Sequence, residues 1–321
     1  MSTDFSRALV TGGAGFIGSH MVERLLGMGL DVVSVDNYVT GKRRNLDGLR
    51  SSRLTEVECD VVDFEGLSRC FDGVDVVFHN AASKKTVCLK DPRIDLDTNA
   101  KGTFNILELC RTRGVRKLVH ASTGSVYGEG RVFPQAETHP LDPCSYYGVS
   151  KLAGEKYVSA FGALYGMDVT VLRYFHVYGP RQDASTEGGV VAIFAANAFA
   201  REPILIHGDG TQMRSFTYVG DVVDANILAA THPGATREVF NVASGIQVSI
   251  QQLAEQVRSL AGAEAVPIQY DAWTTGDIKF FQVDNTKLRS LGFEFQTPFA
   301  AGLRATVDWF KRATAAVGPH A

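Results

Sequence analysis

Tyr147 and Lys151 stand four residues apart in Ser145-Tyr146-Tyr147-Gly148-Val149-Ser150-Lys151, a spacing that puts both side chains on one face of a helix. An ammonium held beside a phenol favours the phenolate and lowers its pKa. Tyr147 is therefore suited to taking the proton of an alcohol while hydride leaves the same carbon for an acceptor. Lys156, nine residues beyond Tyr147, is a poorer partner. Upstream, His120-Ala121-Ser122-Thr123-Gly124-Ser125-Val126-Tyr127-Gly128 follows an apolar run. There Thr123 can hydrogen-bond a substrate hydroxyl and the carbonyl oxygen that develops from it, although a Ser/Thr cluster also serves simply to satisfy a strand end.

A hydride acceptor leaves its own signature. Gly12-Gly13-Ala14-Gly15-Phe16-Ile17-Gly18 lies between a strand pattern and a helical one. Its glycines permit a tight turn and close approach of a pyrophosphate to a helix N-terminus. A purely structural turn would show the glycines alone. Here Asp36-Asn37 closes the next apolar run, with Asp36 eighteen residues beyond Gly18, where a carboxylate can bind both hydroxyls of an adenosine ribose. That carboxylate would repel a 2′-phosphate, so the expected cofactor is NAD. Asp60-Val61, after the third strand pattern, is placed to hold the adenine. Ala81 and Ala82, after the fourth, are small enough to let the backbone approach the cofactor, a role that simple packing would also explain.

Such residues need strand ends to stand on. Candidate strands are Arg7–Thr11, Asp31–Val35, Leu54–Glu58, Val74–His79, Lys117–Ala121 and Asp168–Arg173, with helical patterns such as Ser19–Met28 and Gly102–Arg113 between them. This alternation predicts an α/β fold, a Rossmann-like doubly wound parallel sheet with helices on both faces. Later the pattern is less regular. Glycine-rich turns surround Ile204–Gly210, a helix opens near Gly220-Asp221, Ser249 is placed to cap a helix over Val248–Leu260, and Pro298–Arg312 belongs to a last helical region. The expected division is an NAD-binding domain over 1–175 and a smaller α/β substrate domain over 176–321, with later segments able to return to the first.

Composition excludes several classes. With 45% hydrophobic and 21% charged residues and a net charge of -3 over 321 residues, the chain is globular and has no electrostatic case for nucleic acid. No apolar stretch is long enough to span a membrane. Cys59, Cys70, Cys88, Cys110 and Cys144 form no metal-like or CxxC cluster, which suits a reducing cytoplasm. No metal site is expected.

In order along the chain, the glycine motif, Asp36, Asp60, Asn99, Thr123, Tyr147, Lys151 and the run Arg173-Tyr174-Phe175-His176-Val177-Tyr178-Gly179-Pro180-Arg181 resemble the extended short-chain dehydrogenase/reductase family, in its nucleotide-sugar epimerase and dehydratase branch. The resemblance implies that Tyr147 is the base for a sugar C4 hydroxyl, that Lys151 holds the nicotinamide ribose and that Thr123 completes the triad, with Asn99 anchoring the backbone beneath. It also implies a UDP-sugar substrate. Arg214 matches a phosphate-binding arginine, and Arg181, His176, Asp277 and Lys279 join it as substrate contacts. His176 stands where asparagine is common, and Lys279 where arginine is usual. A homodimer through helices near Tyr147 is a further implication.

Oxidation at C4 opens more than one reaction. The 4,6-dehydratases of the family carry aspartate and glutamate after the threonine, whereas this chain has Gly124-Ser125, which argues against that elimination. The loop Ser83–Pro92 is one residue short of the family pattern and carries Lys84, Lys85 and Cys88. In overall sequence and length the chain resembles UDP-N-acetylglucosamine 5,6-dehydratases of tunicamycin biosynthesis. The first expectation is therefore NAD-dependent C4 oxidation, C5 deprotonation, loss of the 6-hydroxyl and return of hydride to C4. Lys85, Cys88 and Ser125 are then candidate acid/base groups, with Lys84 a substrate contact. The alternative is a UDP-N-acetylglucosamine or UDP-glucose 4-epimerase. A noncatalytic NAD or sugar sensor would have no need of the positioned base.

Overall fold

A computed structural model describes residues 4–83, 91–185, 188–273 and 282–317. Strands β1 (Arg7–Thr11), β2 (Asp31–Asp36), β3 (Leu54–Glu58), β4 (Val76–His79), β5 (Lys117–Thr123) and β6 (Val169–Tyr174) form a parallel sheet with the strand Glu238–Val242. The spatial order is 238–242, β6, β5, β4, β1, β2, β3, so the connection reverses direction between β1 and β4. Ligands of such sheets bind at that point, outside the carboxyl ends of the strands. Buried apolar runs make the central strands, whereas β3, at the edge, exposes Thr55, Glu56 and Glu58 beside partly buried Leu54 and Val57.

Helices cover both faces, as expected of a parallel sheet. Met21, Val22 and Leu25 of the helix Phe16–Gly27 pack with Val222, Val223 and Leu228 of Val219–Thr231 on one side. Ile106 and Leu107 of Gly102–Arg113 pack with Val158 and Phe161 of Tyr146–Tyr165 on the other. The chain thus comes back from the later region to supply both the helix Val219–Thr231 and the seventh strand.

The smaller α/β unit holds three two-stranded pairs, Val177–Tyr178 with Thr217–Tyr218, Met213–Ser215 with Gln247–Ser249, and Ile204–His207 with Ile268–Asp271. Phe194, Leu253, Leu303 and Phe310 bring the helices Val190–Ala200, Ile250–Leu260 and Phe299–Val317 into its separate core. Ser249 caps Ile250–Leu260 in a capping box with Gln252. Among the described residues no helix is long and apolar enough to cross a membrane.

Candidate active site

The glycine turn after β1 is tight enough to forbid side chains. A Cβ on Gly18 would lie 2.0 Å from the Gly12 carbonyl oxygen, and one on Gly12, whose φ is +65°, would lie 2.9 Å from the Ala81 nitrogen. The same closeness explains the Ala81-Ala82 pair, whose backbone runs against the turn. Together with Gly15, Phe16 and Ile17, these residues line a cleft over the start of the first helix. Asp36, at the end of β2, faces the cleft and accepts hydrogen bonds from the Ala14 nitrogen at 3.0 Å and the Tyr38 nitrogen at 2.8 Å. Burial pushes its pKa up, against the pull of those backbone donors.

Asp60 is fixed by its neighbours. Its carboxylate accepts from Asn37 Nδ2 at 2.7 Å and the Val62 nitrogen at 3.0 Å, while Asn37 and Val61 line the cleft. Asp60 therefore orients a lining residue. Thr40, Cys59, Asn80, Thr98 and Tyr174 also line the cleft and escaped the sequence reading. Their positions just beyond strand ends, or beside Asn99, were the available signal. Both polar atoms of the Asn80 amide are buried without a hydrogen-bond partner among the described residues, which a bound dinucleotide would supply. The glycine cradle, the Asp36 carboxylate and the Asn80 amide together fit NAD.

The helix Tyr146–Tyr165 positions the chemistry. Ser145 caps it by accepting from the Gly148 nitrogen at 3.1 Å. A Cβ on Gly148 would meet the Ser125 carbonyl oxygen at 2.7 Å, so glycine lets the first turn dock against the loop after β5. Tyr147 and Lys151 consequently line the cleft beside Ala121 and Ser122. Lys151 is 2% exposed and donates to the Ala121 carbonyl at 2.6 Å. Burial pulls its pKa down to about 8, with Glu155 and then Asp95 opposing. Thr123 donates to Ser125 Oγ at 3.2 Å and accepts from the Ser125 nitrogen at 3.1 Å. A Cβ on Gly124 would lie 2.3 Å from the Phe175 ring, leaving no room there for an acidic side chain.

Asn99 is held among buried neighbours beneath the site. Its amide accepts from the Ser83 nitrogen at 3.1 Å and donates to Asp95 at 2.7 Å and Ser150 at 3.0 Å. It sits on a π-helical turn, Leu96–Lys101, before the next α-helix, an irregularity frequent at functional sites. Behind β5, Glu155 accepts from the Ser122 hydroxyl and from Arg173 at 2.7 and 3.0 Å. Arg173 in turn donates to the Tyr127 hydroxyl at 2.8 Å.

The expected substrate contacts divide. Arg214, 7% exposed on Met213–Ser215, donates to the Met213 carbonyl at 2.9 Å. His176 adopts φ +39°, and its pKa falls to about 3 through burial and the neighbouring Arg214 charge. These two are brought together. Arg181 is carried elsewhere, because the backbone turns at φ +66° and Pro180 accepts from His20 Nε2 at 2.9 Å. Its guanidinium donates to Glu23 of the first helix at 2.6 Å. Lys84, Lys85, Cys88, Asp277 and Lys279 lie outside the described residues.

A doubly wound sheet with a dinucleotide cleft and a Tyr/Lys pair at its mouth defines an NAD-dependent enzyme of the short-chain dehydrogenase/reductase type. A sequence model described as the NAD dependent epimerase/dehydratase family matches residues 8–243, and the chain belongs to that family. It is 39% identical over 313 residues to the UDP-glucose 4-epimerase of Mycolicibacterium smegmatis, covering 95% of this chain and 98% of that one. The crystal structure of UDP-glucose 4-epimerase with UDP-glucose from Thermotoga maritima superposes with a TM-score of 0.90 at 38% identity, over 96% of this chain and 99% of that one. The Thermus thermophilus UDP-glucose 4-epimerase in complex with NAD gives a TM-score of 0.87 at 39% identity, with the same coverage.

These relatives overturn the expected 5,6-dehydration and, with it, the tie to tunicamycin biosynthesis. That expectation rested on overall likeness and length, which a 4-epimerase of the same fold shares. Both reactions begin at C4, so the Thr123, Tyr147 and Lys151 set does not separate them.

Proposed function

We propose that this enzyme is a UDP-sugar 4-epimerase, interconverting UDP-glucose or UDP-N-acetylglucosamine with the corresponding galacto sugar. The observation that carries the proposal is the pairing of an intact C4 proton-transfer set with Gly124-Ser125, where the Phe175 ring denies position 124 any side chain. The site can oxidise and reduce C4 but lacks, after Thr123, the acidic pair that a 4,6-elimination uses.

In this mechanism Tyr147, ionised beside the Lys151 ammonium, takes the C4 hydroxyl proton, and later returns it. NAD in the cleft supplies the acceptor, and then the source, of the C4 hydride. Thr123, oriented by Ser125, holds the C4 oxygen as it changes between alcohol and ketone. Arg214 binds the diphosphate, with neutral His176 beside it. A sugar held mainly by its nucleotide can turn while its ketone stays in the site, so hydride can come back to the opposite face.

Phe104, Tyr157, Leu164 and Tyr165 expose large apolar side chains on the helices Gly102–Arg113 and Tyr146–Tyr165, and this surface is proposed to pair with a second copy. Among the described residues, Cys59, Cys70, Cys110 and Cys144 are free thiols, which suits a cytoplasmic location.

The test is an NMR time course with UDP-glucose and, separately, UDP-N-acetylglucosamine. The proposal expects a galacto product from at least one and no vinyl signal from either. An alkene, or no change with both, would contradict it.

A further inference from the structure

The order of the strands decides which end of a dinucleotide meets which part of the cleft. Tyr147, Lys151, Ala121 and Ser122 line it beside β5, whereas Asn37, Cys59 and Val61 line it beyond the ends of β2 and β3. The glycine turn that follows β1 stands between the two groups. A dinucleotide with its reacting ring at Tyr147 and its pyrophosphate over the glycine turn therefore sets its second base against the turn Asp60–Asp63. That turn belongs to no strand or helix, so other contacts must hold its backbone.

Two sets of bonds do so. From one side, Asp60 accepts from the Val62 nitrogen at its Oδ1, at 3.0 Å, and from the Asp63 nitrogen at its carbonyl, also at 3.0 Å. From the other, the Asn105 amide, on a residue 7% exposed, donates to the Val61 carbonyl at 3.0 Å and the Val62 carbonyl at 3.3 Å. Two successive peptide planes are thus pinned at both edges, the N–H by Asp60 and the C=O by Asn105. Asn105 lies on the helix Gly102–Arg113, three residues past Gly102, where a Cβ would come within 2.6 Å of Val61 Cγ2. One face of that helix therefore both presses on the turn and bonds to it. What the pinned turn leaves unused is the Val61 N–H, which has no acceptor among the described residues.

We propose that Asn105 is a positioning residue that gives the cofactor cleft its preference for adenine, by holding the Asp60–Asp63 turn so that the Val61 N–H meets the ring. Adenine carries a bare N1 that accepts a hydrogen bond. Hypoxanthine carries N1–H, which would face the Val61 donor and leave both groups unpaired, and a site built to bond one partner rejects the analogue that cannot. Asn105 is not among the residues that line the cleft, so it acts through the turn alone. Without its amide two carbonyls lose their donor, the turn shifts and the discrimination goes. The inference rests on NAD lying with its nicotinamide at Tyr147, and is indifferent to what becomes of the keto sugar.

The experiment equilibrates NAD-loaded protein with equal concentrations of NAD and nicotinamide hypoxanthine dinucleotide, which differ in the base alone. Free nucleotide is removed by rapid gel filtration, and the bound ratio is read by chromatography. The wild type is expected to favour NAD by about tenfold or more. In Asn105→Leu and Asn105→Ala, checked for folding by circular dichroism, the ratio should fall to within about threefold of unity. A purely structural role would weaken both dinucleotides alike and leave the ratio unmoved, and that result would overturn the proposal. So would a wild type that does not distinguish the two bases, or failure of both variants to fold, which would assign Asn105 to the framework. No sugar takes part, so a protein that behaves as expected here without interconverting UDP-sugars would keep this inference and lose the epimerase proposal.

Discussion

The cofactor side and the sugar side of this site are built from different material. The cofactor side is mostly backbone, with the Gly12–Gly18 turn, the Ala81-Ala82 run and the Asp36 carboxylate all held by main-chain contacts at the ends of parallel strands. On the side proposed to hold the sugar nucleotide, Arg214 on Met213–Ser215 and His176, just before Val177–Tyr178, lie 38 residues apart in sequence and are brought together by the fold. A backbone site fails at a single added methyl group, whereas a side-chain site should weaken by degrees. That contrast lets the two halves be broken separately.

The largest effect is expected from Gly18→Ala, whose Cβ would collide with the Gly12 carbonyl. Purified Gly18→Ala should carry little or no NAD and show almost no turnover, as read by cofactor content and activity together. NAD retained at the wild-type level would show that the turn can yield. Next, Tyr147→Phe should keep NAD and bind UDP normally while kcat falls by about 10²–10⁴, the range for a lost general base. A fall in UDP affinity of the same size would instead mark Tyr147 as a binding residue. Arg214→Met should leave NAD content untouched and weaken UDP binding in calorimetry by about 30-fold or more, the effect of removing a buried charged partner.

The smallest effect concerns pH, where the two consequences of Lys151 run in opposite directions. Its folded pKa of about 8 lies below the ordinary 10.5. Between those values the unfolded chain binds a proton that the folded chain has released, so the Lys151 contribution to stability rises with pH through that window. Activity should fall over the same window as the ammonium is lost. Urea unfolding of the wild type against Lys151→Met at pH 7.5 and 9.5 measures the stability difference, and a gap between the two proteins that does not change with pH would contradict the assignment.

The cofactor half was legible because its signals are local. A strand pattern, a glycine run and a carboxylate after the next strand lie within 36 residues, and Tyr147 and Lys151 are one helical turn apart. The strand Glu238–Val242 was missed because its pattern is short and its partner β6 lies far upstream. Asn80 and Tyr174 are individually ordinary, and only the ends of separate strands gather them on one cleft. Asp60 and Asn99 were recognised, but their orienting roles depend on partners such as Val62, Ser83 and Asp95 that no spacing discloses. Asp95 itself looks like one acid among several in Asp91–Asp97, and its burial against Ser83, Ser150 and Asn99 exists only in three dimensions. The likeness that suggested 5,6-dehydration was global, and global likeness follows the fold and its first chemical step more closely than what becomes of the keto sugar.

The central claim is that C4 is oxidised and then reduced within one closed site. UDP-glucose deuterated at C4 tests it most directly, with the product examined by NMR and mass spectrometry. The account predicts UDP-galactose that keeps deuterium at C4, with equilibrium approached from either sugar. A product with a 5,6 double bond, or an inverted sugar whose C4 deuterium has been lost to solvent, would contradict it.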